Sequence, residues 1–316
     1  MSASVGITVY PTDGAAAEEL LRNADMAMYR AKKSGRGTYA FFEERMNEEV
    51  VRRGLIEREL RRAIAQQEFI VHYQPQISPH TGHVRSVEAL VRWNHPELGM
   101  LFPLSFIQVA EDTGLIEAIG QIVLAQACAQ FRAWQDEGIQ LDYVAVNVSP
   151  RQFRQSNLVE MVEAELKKNA MPGKFLELEI TESVLVESTG AISDMLARLK
   201  VLDIQIAIDD FGTGYSSMAY LERLPIDTLK IDQGFICNID DEGEGGAIAE
   251  TIVAMAKALK KRVVAEGVET QGQASFLRKL NCNLLQGYFY SHPLPAQKIT
   301  AFIRETDASR RFRATS

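Results

Sequence analysis

Acidic side chains recur in this chain where an apolar run gives way to a loop. The densest case is Ala207–Ser217, AIDDFGTGYSS, where the run Ile204–Ile208 ends in Asp209 and Asp210, followed by Phe211 and a Gly-Thr-Gly segment. Such a run reads as a buried strand, and the glycine-rich stretch as a loop leaving it. Two carboxylates at that junction repel unless a cation lies between them, and a divalent metal ion is the simplest candidate. Neighbouring side chains on an ideal strand point to opposite faces. Both acids therefore serve one site only if the strand stops there and the backbone bends, with Gly212 as the residue that permits the bend. Taken alone, the pair also fits a solvated Asp-Asp turn, the commoner outcome.

The elements needed to position these groups alternate. Strands are expected at Phe69–Tyr73, Ser86–Trp93, Tyr143–Val148, Phe175–Ile180, Gln205–Ile208, Thr228–Ile231, Arg262–Ala265 and Asn283–Gln286. Helices are expected between most of them, at Pro103–Thr113, Ile116–Glu137, Asn157–Asn169, Gly190–Leu202, Ser217–Leu224, Gly246–Leu259 and Thr270–Leu280. About eight strands over about 230 residues match the size of a (β/α)8 barrel. The first two strands are separated by too few residues for a crossover helix and read as an antiparallel hairpin. The fold class expected is α/β: an irregular TIM-type (β/α)8 barrel with an antiparallel first strand, plus a small N-terminal β-α fragment.

Barrel enzymes carry their chemistry at the C-terminal ends of the strands. Those ends bear Glu88 with Leu90 and Arg92, then Asn147, Glu179 followed by Glu182, the pair Asp209-Asp210, Lys230, Glu266 with Glu269, and Gln286. An unneutralised cluster of this kind would repel itself. Hard divalent cations with oxygen ligands resolve that. Two of them, ~4 Å apart, form the clamp used for in-line phosphoryl transfer.

Composition narrows the partners. The 316 residues are 46% hydrophobic with a formal net charge of -8, and no Lys/Arg run dominates, so a nonspecific grip on nucleic acid is not expected. Cys128, Cys237 and Cys282 are far apart and suggest neither a disulfide framework nor a zinc site, which fits a reducing, cytoplasmic setting. The five histidines form no HExxH or HxH pattern, so any metal here would take oxygen ligands. No apolar stretch approaches the ~18 residues of a membrane span.

The motifs Glu88-Ala89-Leu90-Val91-Arg92, Asn147-Val148-Ser149, Glu179-Ile180-Thr181-Glu182, Asp209-Asp210-Phe211-Gly212-Thr213-Gly214, Lys230-Ile231-Asp232, Glu266-Gly267-Val268-Glu269 and Gln286-Gly287-Tyr288 occur in that order. Together they resemble the motif series of the EAL-domain cyclic-di-GMP phosphodiesterases. Tyr73-Gln74-Pro75 and Pro293-Leu294-Pro295 fit the same pattern. The resemblance implies two Mg2+ or Mn2+ ions. Glu88, Asn147, Glu179 and Asp209 would hold one; Asp209, Asp210 and Glu266 would hold the other, with Asp209 bridging. It implies Lys230 beside the attacking water, as orienter, proton acceptor or charge stabiliser. Glu88, Asp209 and Glu266 complete the catalytic set. Leu90, Arg92, Asp210 and Gln286 would contact substrate, Glu182 would anchor the loop after Asp210, and Glu269 would support the site from behind. The implied reaction is hydrolysis of one phosphodiester bond of cyclic-di-GMP to linear 5′-pGpG, with Ca2+ inhibitory. The alternative from another class is a non-catalytic cyclic-di-GMP receptor. A homodimer through the region next to Phe211–Ser217 is also implied.

Residues 1–45 stand apart. Val5–Tyr10 is strand-like, Ala15–Lys33 is an amphipathic helix with Leu20, Ala24, Ala27, Met28 and Ala31 on one face, and Tyr39–Phe42 is a further short strand. The segments VGIT-x-YP-x-DG and LL-x-x-AD-x-AMY-x-AK resemble the C-terminal end of a GGDEF (diguanylate cyclase) domain. The GGDEF signature is missing from it, so no cyclase activity is carried over, and a longer parent with more N-terminal domains is implied. The expected organisation is 1–45 for this fragment, 46–67 for a linker or first helix with Leu55, Leu60 and Ile64 as its apolar positions, 68–303 for the barrel, and 304–316 for a tail in which the basic stretch Arg310–Arg313 is expected to be disordered.

Overall fold

The computed structural model describes residues 3–33, 35, 37–154, 157–186, 190–214, 218–240 and 243–314. The chain divides into two compact units, residues 1–62 and 63–316, and the division falls inside the helix Arg45–Ala65.

In the first unit β1 (Val5–Ile7) and β2 (Tyr39–Phe41) pair in parallel, joined by the helix Ala17–Lys33. Parallel neighbours need such a crossover, and the helix supplies it. Ala27, Phe42 and Met46 form a small buried cluster with Met26 against it. Further along the helix Arg45–Ala65, Ile56, Leu60 and Ala63 are buried, whereas Leu55 is exposed. Leu60 is thus the expected position that holds, while Ile56 and Ala63 replace Leu55 and Ile64 as the buried ones, because spacings of four and three keep 56, 60 and 63 on one face.

The second unit is a closed barrel of eight strands. In chain order its strands are β3 (Phe69–Ile77), β4 (Val84–His95), β6 (Tyr143–Val148), β7 (Leu176–Thr181), β8 (Gln205–Phe211), β9 (Thr228–Ile231), β10 (Arg262–Ala265) and β11 (Leu284–Leu285). Two short strands lie outside the ring: β5 (Gly99–Leu101) on the edge of β4, and β12 (Leu294–Pro295) on β3. Ring pairs from β4 round to β11 are parallel, and β3 closes the barrel antiparallel to both β4 and β11. The hairpin expected at the start of the barrel is present. β3 and β4 run longer than the sequence pattern suggests, because direct register from Phe69↔Trp93 to Gln76↔Ser86 keeps the pair together past Pro75.

Helices cover the outside. Ile116–Asp136 buries Ile119, Val123, Ala127, Phe131 and Trp134, a stripe at helical spacing. Trp134 donates through Nε1 to Thr300 Oγ1 at 2.7 Å, seating the last helix, Ala296–Ala314. That helix corrects the disorder expected at Arg310–Arg313, since it extends to Ala314. Ile299 and Ile303 are buried at its start, so ordinary helix formers can propagate from an anchored first turn.

Inside the barrel every second residue of a strand points to the axis. On β7 this face carries Glu177 and Glu179, on β6 Tyr143, Ala145 and Asn147, and on β9 Thr228 and Lys230. Tyr143, Ala145, Val264 and Leu284 form an apolar plug there, with polar groups above and below it.

Candidate active site

Lys230 is the centre of the upper polar layer. It is 1% exposed, which for a lysine requires compensation. Its Nζ lies 2.6 Å from Glu266 Oε1, 2.7 Å from Glu179 Oε2, 3.1 Å from Asp209 Oδ1 and 3.7 Å from Glu88 Oε2. These acids come from four other strand ends, as expected from their position just before each loop. One ammonium faces four carboxylates, so the layer is electrostatically short of positive charge.

The imbalance shows in the protonation of each group. Burial, with repulsion from Glu88 and Asp209 outweighing Lys230, pushes Glu179 well above the usual carboxylate range. Burial and the charges of Asp209 and Glu88 push Glu266 up to about 8 despite Lys230. Asp210 rises to about 6 through burial and its neighbours Asp209 and Asp232. Glu88 goes the other way: burial would raise it, but Lys230 and hydrogen bonds from Gln286 and Asn147 hold it below its ordinary value. Burial also opposes the Lys230 charge, and the surrounding acids overcome it and keep the ammonium protonated.

Asp210 solves the strand problem differently from the expectation. β8 continues through both acids to Phe211, and its register with β9 slips between Ile208 and Phe211. Asp210 takes φ +52, in the left-handed region. The bend thus begins at Asp210 itself, one of the few residue types that tolerate this conformation, and continues at Gly212, which takes φ +100 as expected of the residue that permits it. Oxygens of Asp209, Asp210 and Glu266 consequently lie within 4.8 Å of one another.

Gly212 and Gly214 also anchor the loop. Their backbone N–H groups donate to Glu182 Oε2 at 3.0 and 3.2 Å. A Cβ on Gly214 would meet that carboxylate at 2.9 Å. Glu182 therefore holds the start of the loop expected to be anchored by it. Residues 215–217, the end of the Phe211–Ser217 stretch expected beside a dimer contact, lie outside the described residues.

A cavity of about 560 Å³ opens above these acids. Glu88, Asn147, Asp209, Asp210, Glu266 and Gln286 line one side; Leu90, Pro103, Leu104, Ile107 and Ile116 line another. Glu179 and Lys230 lie beneath its floor. Arg92 does not line it: the guanidinium donates to the Val91 carbonyl at 2.7 Å and stacks 5.2 Å from the centre of the Phe102 ring. Glu269 lines the cavity but makes no described contact with the acid cluster; its backbone N–H is received by Gln273. Gln286 is turned inward, donating to Glu88 Oε2. Asn147 donates to the other Glu88 oxygen at 2.6 Å.

Divalent cations fit this donor set. Glu179 Oε1 is buried with no hydrogen-bond partner, and Asp209 Oδ1, although close to Lys230, makes no hydrogen bond in proper geometry. Orphaned carboxylate oxygens at this depth are costly unless a cation receives them. All the side chains around the cluster offer oxygen, apart from Lys230, which suits Mg2+ or Mn2+.

Three residues escaped the sequence reading. Asp232 lines the same cavity, adds to the negative field on Asp210, and caps the short helix Gln233–Ile236. Glu177 lies one layer deeper, fully buried, accepting from Thr228 and Arg262 at 2.6 Å each. Gln76, on β3, is fully buried. Alternation along the strands was the available signal: Glu177 shares the face of Glu179, and Gln76 that of Gln74.

Comparison with known proteins agrees with this arrangement. The EAL domain family model matches residues 57–293, three quarters of the chain. The chain belongs to the EAL-domain family. Its first 38 residues match the model of the diguanylate cyclase, GGDEF domain, so a GGDEF fragment precedes the EAL barrel. The bifunctional diguanylate cyclase/cyclic di-GMP phosphodiesterase MucR of Pseudomonas aeruginosa is 43% identical over 303 residues, 96% of this chain and 44% of MucR. The cyclic di-GMP phosphodiesterase NbdA of the same organism is 42% identical over 304 residues, 96% of this chain and 38% of NbdA. The chain thus spans less than half the length of these relatives. A solved structure of the MucR phosphodiesterase in complex with c-di-GMP superposes with a TM-score of 0.74 at 42% identity, covering 78% of this chain and 99% of that one. Among the described residues, no helix of this EAL protein is long and apolar enough to cross a membrane.

Proposed function

We propose that this chain hydrolyses one phosphodiester bond of cyclic-di-GMP to linear 5′-pGpG, lowering the level of that second messenger. The observation that carries the reading is the ring of four carboxylates around Lys230, two of which, Glu179 and Asp209, keep a buried oxygen without a hydrogen-bond partner. Glu88, Asn147, Glu179 and Asp209 would hold one Mg2+ or Mn2+, and Asp209, Asp210 and Glu266 a second. When bound, the two ions would supply Lewis acidity, activating water for in-line attack and offsetting charge on the phosphate.

The chain's own groups prepare that chemistry. Asn147 and Gln286 each donate to one oxygen of Glu88, which keeps its carboxylate ionised and its plane fixed. Lys230, held among Glu266, Glu179 and Asp209, would serve beside the attacking water as orienter, proton acceptor or charge stabiliser. The apolar wall at Leu90, Ile107 and Ile116 offers a dry face for flat bases while the acidic side takes the phosphates. Phosphate contact by Arg92 would need its guanidinium to leave the Phe102 ring. Glu182 would steady the loop after Asp210 and Glu269 would act from the cavity wall.

Relatives named as cyclic-di-GMP phosphodiesterases support the substrate. A cytoplasmic setting with three free thiols, inhibition by Ca2+ and a homodimer near Phe211–Ser217 belong to the same proposal. The test is to incubate the full chain with cyclic-di-GMP and Mg2+ or Mn2+ and follow pGpG. Accumulation of pGpG is expected. Nucleotide binding without product under either metal would instead favour the non-catalytic receptor.

A further inference from the structure

Beneath the acidic floor runs a line of buried amides that no role above uses. Gln76 on β3 is fully buried. It faces Ser86 on β4 in direct register, and Ser86 in turn faces Tyr143 on β6. Both hydroxyls donate to the same atom, Gln76 Oε1, at 2.7 Å from Ser86 and 3.1 Å from Tyr143. With its oxygen committed downward, Gln76 points its NH2 upward and donates to Gln286 Oε1 at 3.0 Å.

That donation decides which way Gln286 faces. Its oxygen is occupied, so its NH2 supplies Gln74 Oε1 at 3.0 Å and Glu88 Oε2. Gln74 is pinned in the same sense, because its own NH2 donates to the Ser291 carbonyl at 3.1 Å. Both amide neighbours of Gln286 thus require its nitrogen to face Glu88. Turned over, Gln286 would put a carbonyl oxygen against a buried carboxylate, which is repulsive at low dielectric.

We infer that Gln76 is a positioning residue for the cation-binding site: oriented by Ser86 and Tyr143, it sets the polarity of Gln286 and so keeps a donor on Glu88. The inference rests on Glu88 being a cation ligand, as proposed above. Hydrogen-bond partners behind a ligating carboxylate fix its plane, and removing one typically lowers metal affinity ~10–100-fold. A purely structural Gln76 would do no more than satisfy two buried hydroxyls; its loss would lower stability and leave the site untouched.

The experiment is calorimetric titration of the full chain with Mn2+ in the absence of nucleotide, alongside thermal unfolding. Gln76→Met keeps the volume and removes the donor; Mn2+ affinity is expected to fall ~10–100-fold. Because that variant places a thioether in a polar layer, a second one carries the same question. Ser86→Ala with Tyr143→Phe leaves Gln76 present but free to turn over, and its Mn2+ affinity is expected to fall as well. Thr228→Val, equally buried but bonded to Glu177, should lose stability without losing affinity. Wild-type affinity in the folded Gln76→Met and double variants, or an equal loss in Thr228→Val, would overturn the inference alone. A wild-type chain that bound no Mn2+ would overturn the functional reading and the inference with it.

Discussion

Lys230 Nζ sits 2.6 Å from Glu266 Oε1, on the neighbouring strand, and the Glu266 carboxyl is nevertheless pushed up to about 8. Burial is the main cause, and the charges of Asp209 and Glu88 add to it. A single ammonium shared among four acids cannot keep all of them ionised. The site as folded is therefore built to exchange protons for cations.

The pH dependence follows in sign. Glu266 has an ordinary value of 4.5 and a folded value near 8, so between those limits the folded chain binds a proton that the unfolded chain has released. Stability of the metal-free protein should fall as pH rises from about 4.5 to about 8. Glu179, raised in the same direction, steepens the loss. Mn2+ binding at pH 7 should expel these protons. Titrations in two buffers of different ionisation enthalpy measure the number released; a heat independent of buffer would contradict the assignment, as would a melting temperature that climbed over the same range.

Lys230→Met removes the central charge and keeps the bulk. Turnover should drop ~10²–10⁴-fold, the range for loss of a positioned catalytic group. The metal-free variant should also melt lower than wild type, because four buried acids lose their common partner, and Mn2+ should recover part of the difference. Turnover close to wild type would remove Lys230 from the mechanism.

Asp210 combines two demands that different variants separate. Asn tolerates the left-handed φ of +52 and lacks the charge. Asp210→Asn should therefore keep its melting temperature and lose affinity for one of two Mn2+ ions. Asp210→Val should in addition lose about 1–3 kcal/mol of stability from backbone strain. Denaturant unfolding and Mn2+ titration of both variants test this; equal stability of the two would mean that the bend is not set by residue 210.

The barrel was legible because its strand ends pair an apolar run with an acid, and Glu88, Asn147, Glu179, Asp209, Lys230 and Glu266 do meet on one floor. What was not legible depends on direction. Gly212, at φ +100, is the legible half of the bend, since glycine is the usual marker of positive φ; Asp210 uses the same freedom less visibly. Arg92 shares a strand with Glu88, yet its long side chain settles on Phe102, a choice made by a residue ten positions away and outside any motif. Gln76 was missed because a lone amide announces no chemistry until its partners are known. The helix reaching Ala314 is anchored by the buried Ile299 and Ile303 and by Thr300, which accepts from Trp134 of the helix Ile116–Asp136, and not by the basic residues that suggested a tail.

Glu182 offers the last separation, between a loop that only connects and one that tunes the site. Its Oε2 accepts from the backbone of both Gly212 and Gly214, two and four residues beyond Asp210. Hydrogen bonds to a charged acceptor contribute roughly 1.5–3 kcal/mol, so Glu182→Ala should release the loop start from its place beside β7. If the loop holds Asp210 in position, Mn2+ affinity and turnover fall together, and proteolytic cleavage near 212–214 accelerates. Glu182→Gln retains an acceptor oxygen of the same reach and should recover most of the affinity. A Glu182→Ala protein with faster cleavage but unchanged Mn2+ affinity and turnover would reduce the segment to a connector. In that case Asp210 is held by its own strand, through the bulge between Ile208 and Phe211.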